Sequence, residues 1–97
     1  MTVKIIGLIR LKDPKAFETY RSQVGATVEK YQGAVVARGT ANKTYWNELP
    51  CGEFTAFVEL QFPSAADADR WAASPEYQAL VPVRSEAMDL VLFRVEE

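Results

Sequence analysis

Between residues 54 and 62 apolar and polar positions alternate. Phe54, Ala56, Val58, Leu60 and Phe62 fall on one face, and Thr55, Phe57, Glu59 and Gln61 on the other. A period of two in β-branched and aromatic residues predicts a strand. Pro63 ends it, because proline has no N–H for a ladder. Ser64 then stands as a helix N-cap with Asp67 in the first turn, where a hydroxyl and a carboxylate both suit the orphan N–H groups. The alanine-rich run 65–73, with Trp71, favours helix. Ser74-Pro75-Glu76 repeats the capping device and starts a second short helix carrying Tyr77, Leu80 and Val81, which Pro82 distorts or ends.

Around this stretch the other elements fall into place. Residues 2–11 read as a strand with Val3, Ile5, Gly7, Ile9 and Leu11 opposed to Lys4, Ile6, Leu8 and Arg10. Apolar residues on both faces predict a central strand covered on both sides. Asp13 and Pro14 open a helix whose stripe Phe17, Tyr20, Val24, Val28, Tyr31 recurs at three or four residues. Gly33 is expected to supply its left-handed stop, and Gly25 inside it either admits a close approach of the sheet or has no role. In residues 34–40 a second strand sets Ala34, Val36, Arg38 and Thr40 against Val35, Ala37 and Gly39. The connection ANKTYWNELPCGE is at the upper edge of ordinary loop lengths and carries Tyr45 and Trp46. Residues 87–95 close the chain as a fourth strand.

The order is β-α-β-β-α-β with the second helical segment broken in two. That predicts one α+β domain over residues 1–97, ferredoxin-like, with a four-stranded antiparallel sheet and its helices on one face. The other face would carry Phe57 and apolar residues of the first and last strands. Bare, it exceeds the apolar patch a monomer usually exposes, so a homodimer paired through the sheet face is expected.

Composition narrows the chemistry more than the fold. Eleven basic and thirteen acidic residues give a net charge of −2, which is no footprint for nucleic acid or an anionic membrane. There is no RNA-binding aromatic run on a strand. No apolar run reaches the ~20 residues that span a bilayer. Residues 1–14 read as a strand and not as a signal peptide, so the cytoplasm is the default location. One cysteine, Cys51, excludes an internal disulfide, and with no basic neighbour an inert thiol is expected. The absence of histidine removes the usual general base, metal ligand and haem ligand. No cofactor or metal is expected, and catalysis would fall to Asp, Glu, Arg, Lys or Tyr.

Six residues are candidates for binding a ligand: Arg38, Glu59, Tyr31, Tyr77, Trp71 and Arg84. The Arg38 guanidinium offers a planar fork to a carboxylate or phosphate, against a structural ion pair with Glu59 or Asp89. Glu59 is a general base if partly buried, and otherwise a salt-bridged or solvated carboxylate. Tyr20, Tyr31, Trp71 and Tyr77 face the sheet from helices, where they line a pocket or simply fill the core. Arg84 faces the same cleft or caps a helix C-terminus. Tyr45 and Trp46 are expected to pack on a partner subunit.

The series Asp13-Pro14…Phe17…Tyr20, Val28…Tyr31-Gln32-Gly33, Ala37-Arg38-Gly39 and Phe62-Pro63-Ser64…Ala68…Trp71…Ser74-Pro75-Glu76-Tyr77-Gln78…Leu80…Arg84 resembles the family known as domain of unknown function 1330. The resemblance spans nearly the whole chain and implies subunits that pair into a dimeric α+β barrel. It departs at Gln32 and Thr40, where the family has glycine. Two functions follow as expectations. One is a homodimer binding a small organic molecule between sheet and helices, with metal-free acid–base catalysis included. The other is a non-catalytic ligand sensor or structural dimerisation module.

Overall fold

A computed structural model describes residues 2–50 and 52–97. Cys51, and with it the expectation of an inert thiol, lies outside the described residues. The elements in chain order are β1 (Val3–Leu11), α1 (Pro14–Lys30), β2 (Ala34–Thr40), β3 (Ala56–Phe62), α2 (Ala65–Ala73), α3 (Pro75–Gln78), α4 (Val81–Ala87) and β4 (Met88–Val95). The strands form one antiparallel sheet in the order β2-β3-β1-β4, the ferredoxin-like arrangement.

The helix starts are those the capping residues dictate. The Asp13 carboxylate accepts from the N–H groups of Lys15 and Ala16 at 3.0 and 3.3 Å. The Ser64 and Ser74 hydroxyls accept from Asp67 N–H and Tyr77 N–H, each at 3.1 Å. The second helical segment is broken twice, not once. Pro82 does not end a helix; it stands in the first turn of α4, where its missing N–H costs nothing.

Two further readings change. The left-handed residue after α1 is Gln32, at φ 73°, and not Gly33. Gln32 N–H bonds to Glu29 O and Gly33 N–H to Val28 O, the paired hydrogen bonds of a Schellman stop. Gly33 is needed for space: a Cβ there would lie 2.5 Å from the Phe62 ring. Gly25, by contrast, faces open space, so it admits no close approach.

In β1 the residues Val3, Ile5 and Ile9 are buried beneath the helices. They form two core clusters. One gathers Val3, Ile5, Val28, Leu60, Phe62, Trp71 and Tyr77; the other gathers Ile9, Ala16, Ala87 and Met88. On the opposite face, cross-strand pairing puts Leu8 between Phe57 and Val91, and Ile6 between Glu59 and Phe93. Val91 and Phe93 are exposed, as the alternation foretold for an uncovered face. Tyr45 and Trp46, in the connection between β2 and β3, are 79% and 84% exposed.

Candidate functional site

Residues 17–24 of α1 stand off the sheet, and a cavity of about 290 Å³ lies between them. Its walls are apolar: Ile9 from β1, Phe17 and Val24 from α1, Leu60 from β3, Trp71 from α2, and Leu90 and Leu92 from β4. Tyr20 also lines it. Arg21 of α1 and Arg38 of β2 both line it and are both exposed, which places them where the cavity opens to solvent. Among the described lining residues there is no carboxylate.

Arg38 reaches this mouth through an irregularity. β2 pairs with β3 in a register that shifts between Val35 and Ala37. Val35 lies opposite Leu60, and Arg38 lies opposite Val58. The extra residue puts Val35, Arg38 and Thr40 together on the helix side, with Ala37 and Gly39 on the other. Strict alternation groups Arg38 with Ala34 and Val36 instead. Glu59 pairs with Ile6 and Ala37 on the open face, so Arg38 and Glu59 lie on opposite sides of the sheet. Neither the shared pocket nor the ion pair expected of these two is formed. Glu59 accepts from Gln61 Nε2 at 3.3 Å. Asp89 is taken by Arg10 at 2.8 Å and Lys12 at 3.5 Å, and these cations hold its carboxyl below the usual range. Arg38 has no ion pair or side-chain hydrogen bond with any described residue.

Behind the cavity wall runs a chain of hydroxyls. Tyr20 Oη lies 3.0 Å from Tyr77 Oη, and Arg84 Nη1 donates to Tyr77 Oη at 2.9 Å. Arg84 therefore neither caps a helix nor lines the cavity; it supports Tyr77, which is buried behind Tyr20. Arg84 occupies one acceptor site on Tyr77, and either phenol can donate in the Tyr20–Tyr77 hydrogen bond. Burial, and then the neighbouring Tyr77 hydroxyl, push the Tyr20 phenol well above its ordinary range, so it stays a donor at neutral pH.

The other candidates separate. Trp71 forms cavity wall and core at once, and its Nε1 donates to Thr27 Oγ1 at 3.1 Å. Tyr31 lies at the far end of α1 and donates to Glu76 Oε1 at 2.7 Å. Lys30 donates to the other oxygen of the same carboxylate. These two donors, Lys30 first, hold Glu76 down at about 2. Arg21 was not among the sequence candidates. Its signal was its spacing, four residues after Phe17 and three before Val24, on the edge of the apolar stripe.

Among the described residues no group of three or more acidic, cysteine or histidine residues is placed to hold a metal ion. Among the same residues no helix is long and apolar enough to cross a membrane.

No curated protein matches the chain. Solved structures do. A protein of unknown function from Rhodopseudomonas palustris is similar with a TM-score of 0.80 at 21% identity, over 99% of this chain and 82% of that one. SnoaB, a cofactor-independent oxygenase from Streptomyces nogalater, is similar at a TM-score of 0.72 and 10% identity, over 99% and 92% of the chains. A dimeric ferredoxin-like protein of unknown function from Jannaschia sp. CCS1 reaches 0.67 at 10% identity, over 100% of both. At these identities the likeness is one of fold. The model of the domain of unknown function DUF1330 matches residues 2–97, and the chain belongs to that family.

Proposed function

We propose that the chain forms a homodimer through its open sheet face and that each protomer holds a small, mostly apolar organic molecule under α1. The cavity carries this reading: apolar walls, the half-buried Tyr20 along one side, and two arginines at the mouth. Its volume is at the low end of the ~300–1,000 Å³ typical of ligand pockets, which suits one or two rings or a short chain. The dimer rests on Ile6, Leu8, Phe57, Val91 and Phe93, an apolar patch flanked by charged residues. The dimeric Jannaschia relative supports it by analogy of fold.

With no carboxylate in the described walls, acid–base chemistry here would run through Tyr20 as a hydrogen-bond or proton donor. Glu59, on the open face, takes no part in it. A ligand sensor uses the same cavity without turnover. An open mouth counts against a purely structural dimerisation module, for which a closed and dry interior is expected.

Native mass spectrometry of the purified protein tests both parts. The expected result is a dimer carrying small-molecule mass in a two-to-two ratio, with Leu8→Glu converting it to monomer. A monomer at micromolar concentration overturns the assembly. A dimer of bare chains that also binds nothing from a panel of small ring compounds overturns the ligand.

A further inference from the structure

We infer that the molecule held in the cavity is an organic acid, its apolar body beneath α1 and its carboxylate between the guanidinium groups of Arg21 and Arg38. This rests on the cavity being the ligand site and specifies the charge of what enters it.

The chain as a whole is acidic, with thirteen carboxylate side chains against eleven cations. A cavity whose only charged lining residues, among those described, are two arginines is therefore no by-product of a basic surface. Elsewhere Arg10 is paired with Asp89, Arg70 with Asp67 and Arg94 with Asp69 and Glu96, while Arg84 donates to the Tyr77 hydroxyl. At the mouth the arginines are not used in that way. Arg38 has no partner among the described residues. Arg21 reaches Glu18 only at 3.7 Å, and both side chains are largely solvated, so that pair contributes little and yields easily.

Two like charges lining one opening repel, and an anion between them relieves the repulsion while gaining charge-assisted hydrogen bonds. Guanidinium is suited to a carboxylate because its planar fork meets both oxygens at once. Behind the mouth, Phe17, Val24, Leu60 and Leu92 offer no polar group, so the rest of the molecule is apolar. Arg38 reaches this position through the register shift in β2, which also keeps Val35 against the core, so the binding of the acid is tied to that irregularity.

Calorimetric or NMR titration of the full chain at low salt, with benzoate and 2-naphthoate against their neutral amides and 2-naphthyl phosphate, tests the inference. The better acid should bind about tenfold or more tightly than its amide, a difference of ~1.4 kcal/mol per decade. Arg38→Gln and Arg21→Gln should each remove most of that advantage, weakening the acid far more than the amide. Val24→Trp, with folding checked by circular dichroism, should abolish both by filling the cavity. Amides that bind as well as acids overturn the inference and leave the cavity reading standing. Acid binding that survives Val24→Trp, or is weaker than that of the phosphate ester, also overturns it. If no probe binds, the cavity reading itself falls.

Discussion

Helix α1 packs on the sheet in two ways along its length. At its C-terminal end Val28 is wholly buried, and the ring of Phe62 leaves no room for a side chain at residue 33. There Trp71 stands 5.5 Å from Phe62 and 4.4 Å from Tyr77, ring centre to ring centre. Over residues 17–24 the same apolar stripe leaves a cavity. The difference lies in what is opposite. Under Val28 the space is filled by three aromatic rings; under residues 17–24 the sheet contributes aliphatic side chains, Ile9, Val35, Val58, Leu60, Leu90 and Leu92, and a cavity is left. A stripe of constant spacing thus makes packed core or cavity according to side-chain volumes on other elements.

Truncation should separate the two regions most strongly. Phe62→Ala removes a fully buried ring from the packed end and should cost ~3–5 kcal/mol in urea unfolding. Val24→Ala, in the half-buried cavity wall, should cost about 1 kcal/mol or less, because it only widens a space already present. Equal costs would mean that the cavity is closed in solution and packed like the rest.

The neighbouring residues of the α1 stop sharpen the contrast at smaller scale. Gly33→Ala forces a methyl into the Phe62 ring and should lose ~1–3 kcal/mol. Gln32→Gly should gain up to about 1 kcal/mol, because Gln32 holds the left-handed conformation that glycine adopts without strain. Thermal or chemical denaturation of the two variants distinguishes them by sign. If both destabilise, the stop is held by the Gln32 side chain and not by backbone geometry.

Much of this fold was legible from spacing alone. Alternation located the four strands, the serine and aspartate caps located the helix starts, and the bare face followed from Leu8, Phe57 and Val91 lying opposite the buried set. The site was less legible, for reasons that can be named. The register shift between Val35 and Ala37 has no proline or glycine to announce it, and it decides which side Arg38 takes. Arg21 reads in sequence as a solvated helix residue, because nothing local says that the sheet below it is hollow. Gly33 was found as a helix stop, but its reason is the ring of Phe62, twenty-nine residues on. Local rules recover elements; the cavity depends on volumes brought together from six of them.

The smallest effect concerns the polar tie at the packed end. Glu76, at the start of α3, accepts from Lys30 and Tyr31 and so fastens the end of α1 to the short helix. Its folded pKa, about 2, lies below the ordinary value of 4.5, so the folded chain binds fewer protons between these limits than the unfolded one. The stabilisation is therefore complete above pH 4.5 and is lost as pH falls through 2. Wild type should exceed Glu76→Gln in unfolding midpoint at pH 7, the gap should narrow between pH 4.5 and 2, and it should be gone below. Asp89 also has a lowered pKa and titrates in the same region, so the difference between the two proteins, and not either curve alone, carries the information. Because Glu76 is not among the residues lining the cavity, the substitution should leave binding of an organic acid unchanged at pH 7. A gap independent of pH would show that the carboxylate contributes by packing. A change in ligand affinity would show that the closed end of α1 and its open middle move together, and that the two regions are not separate after all.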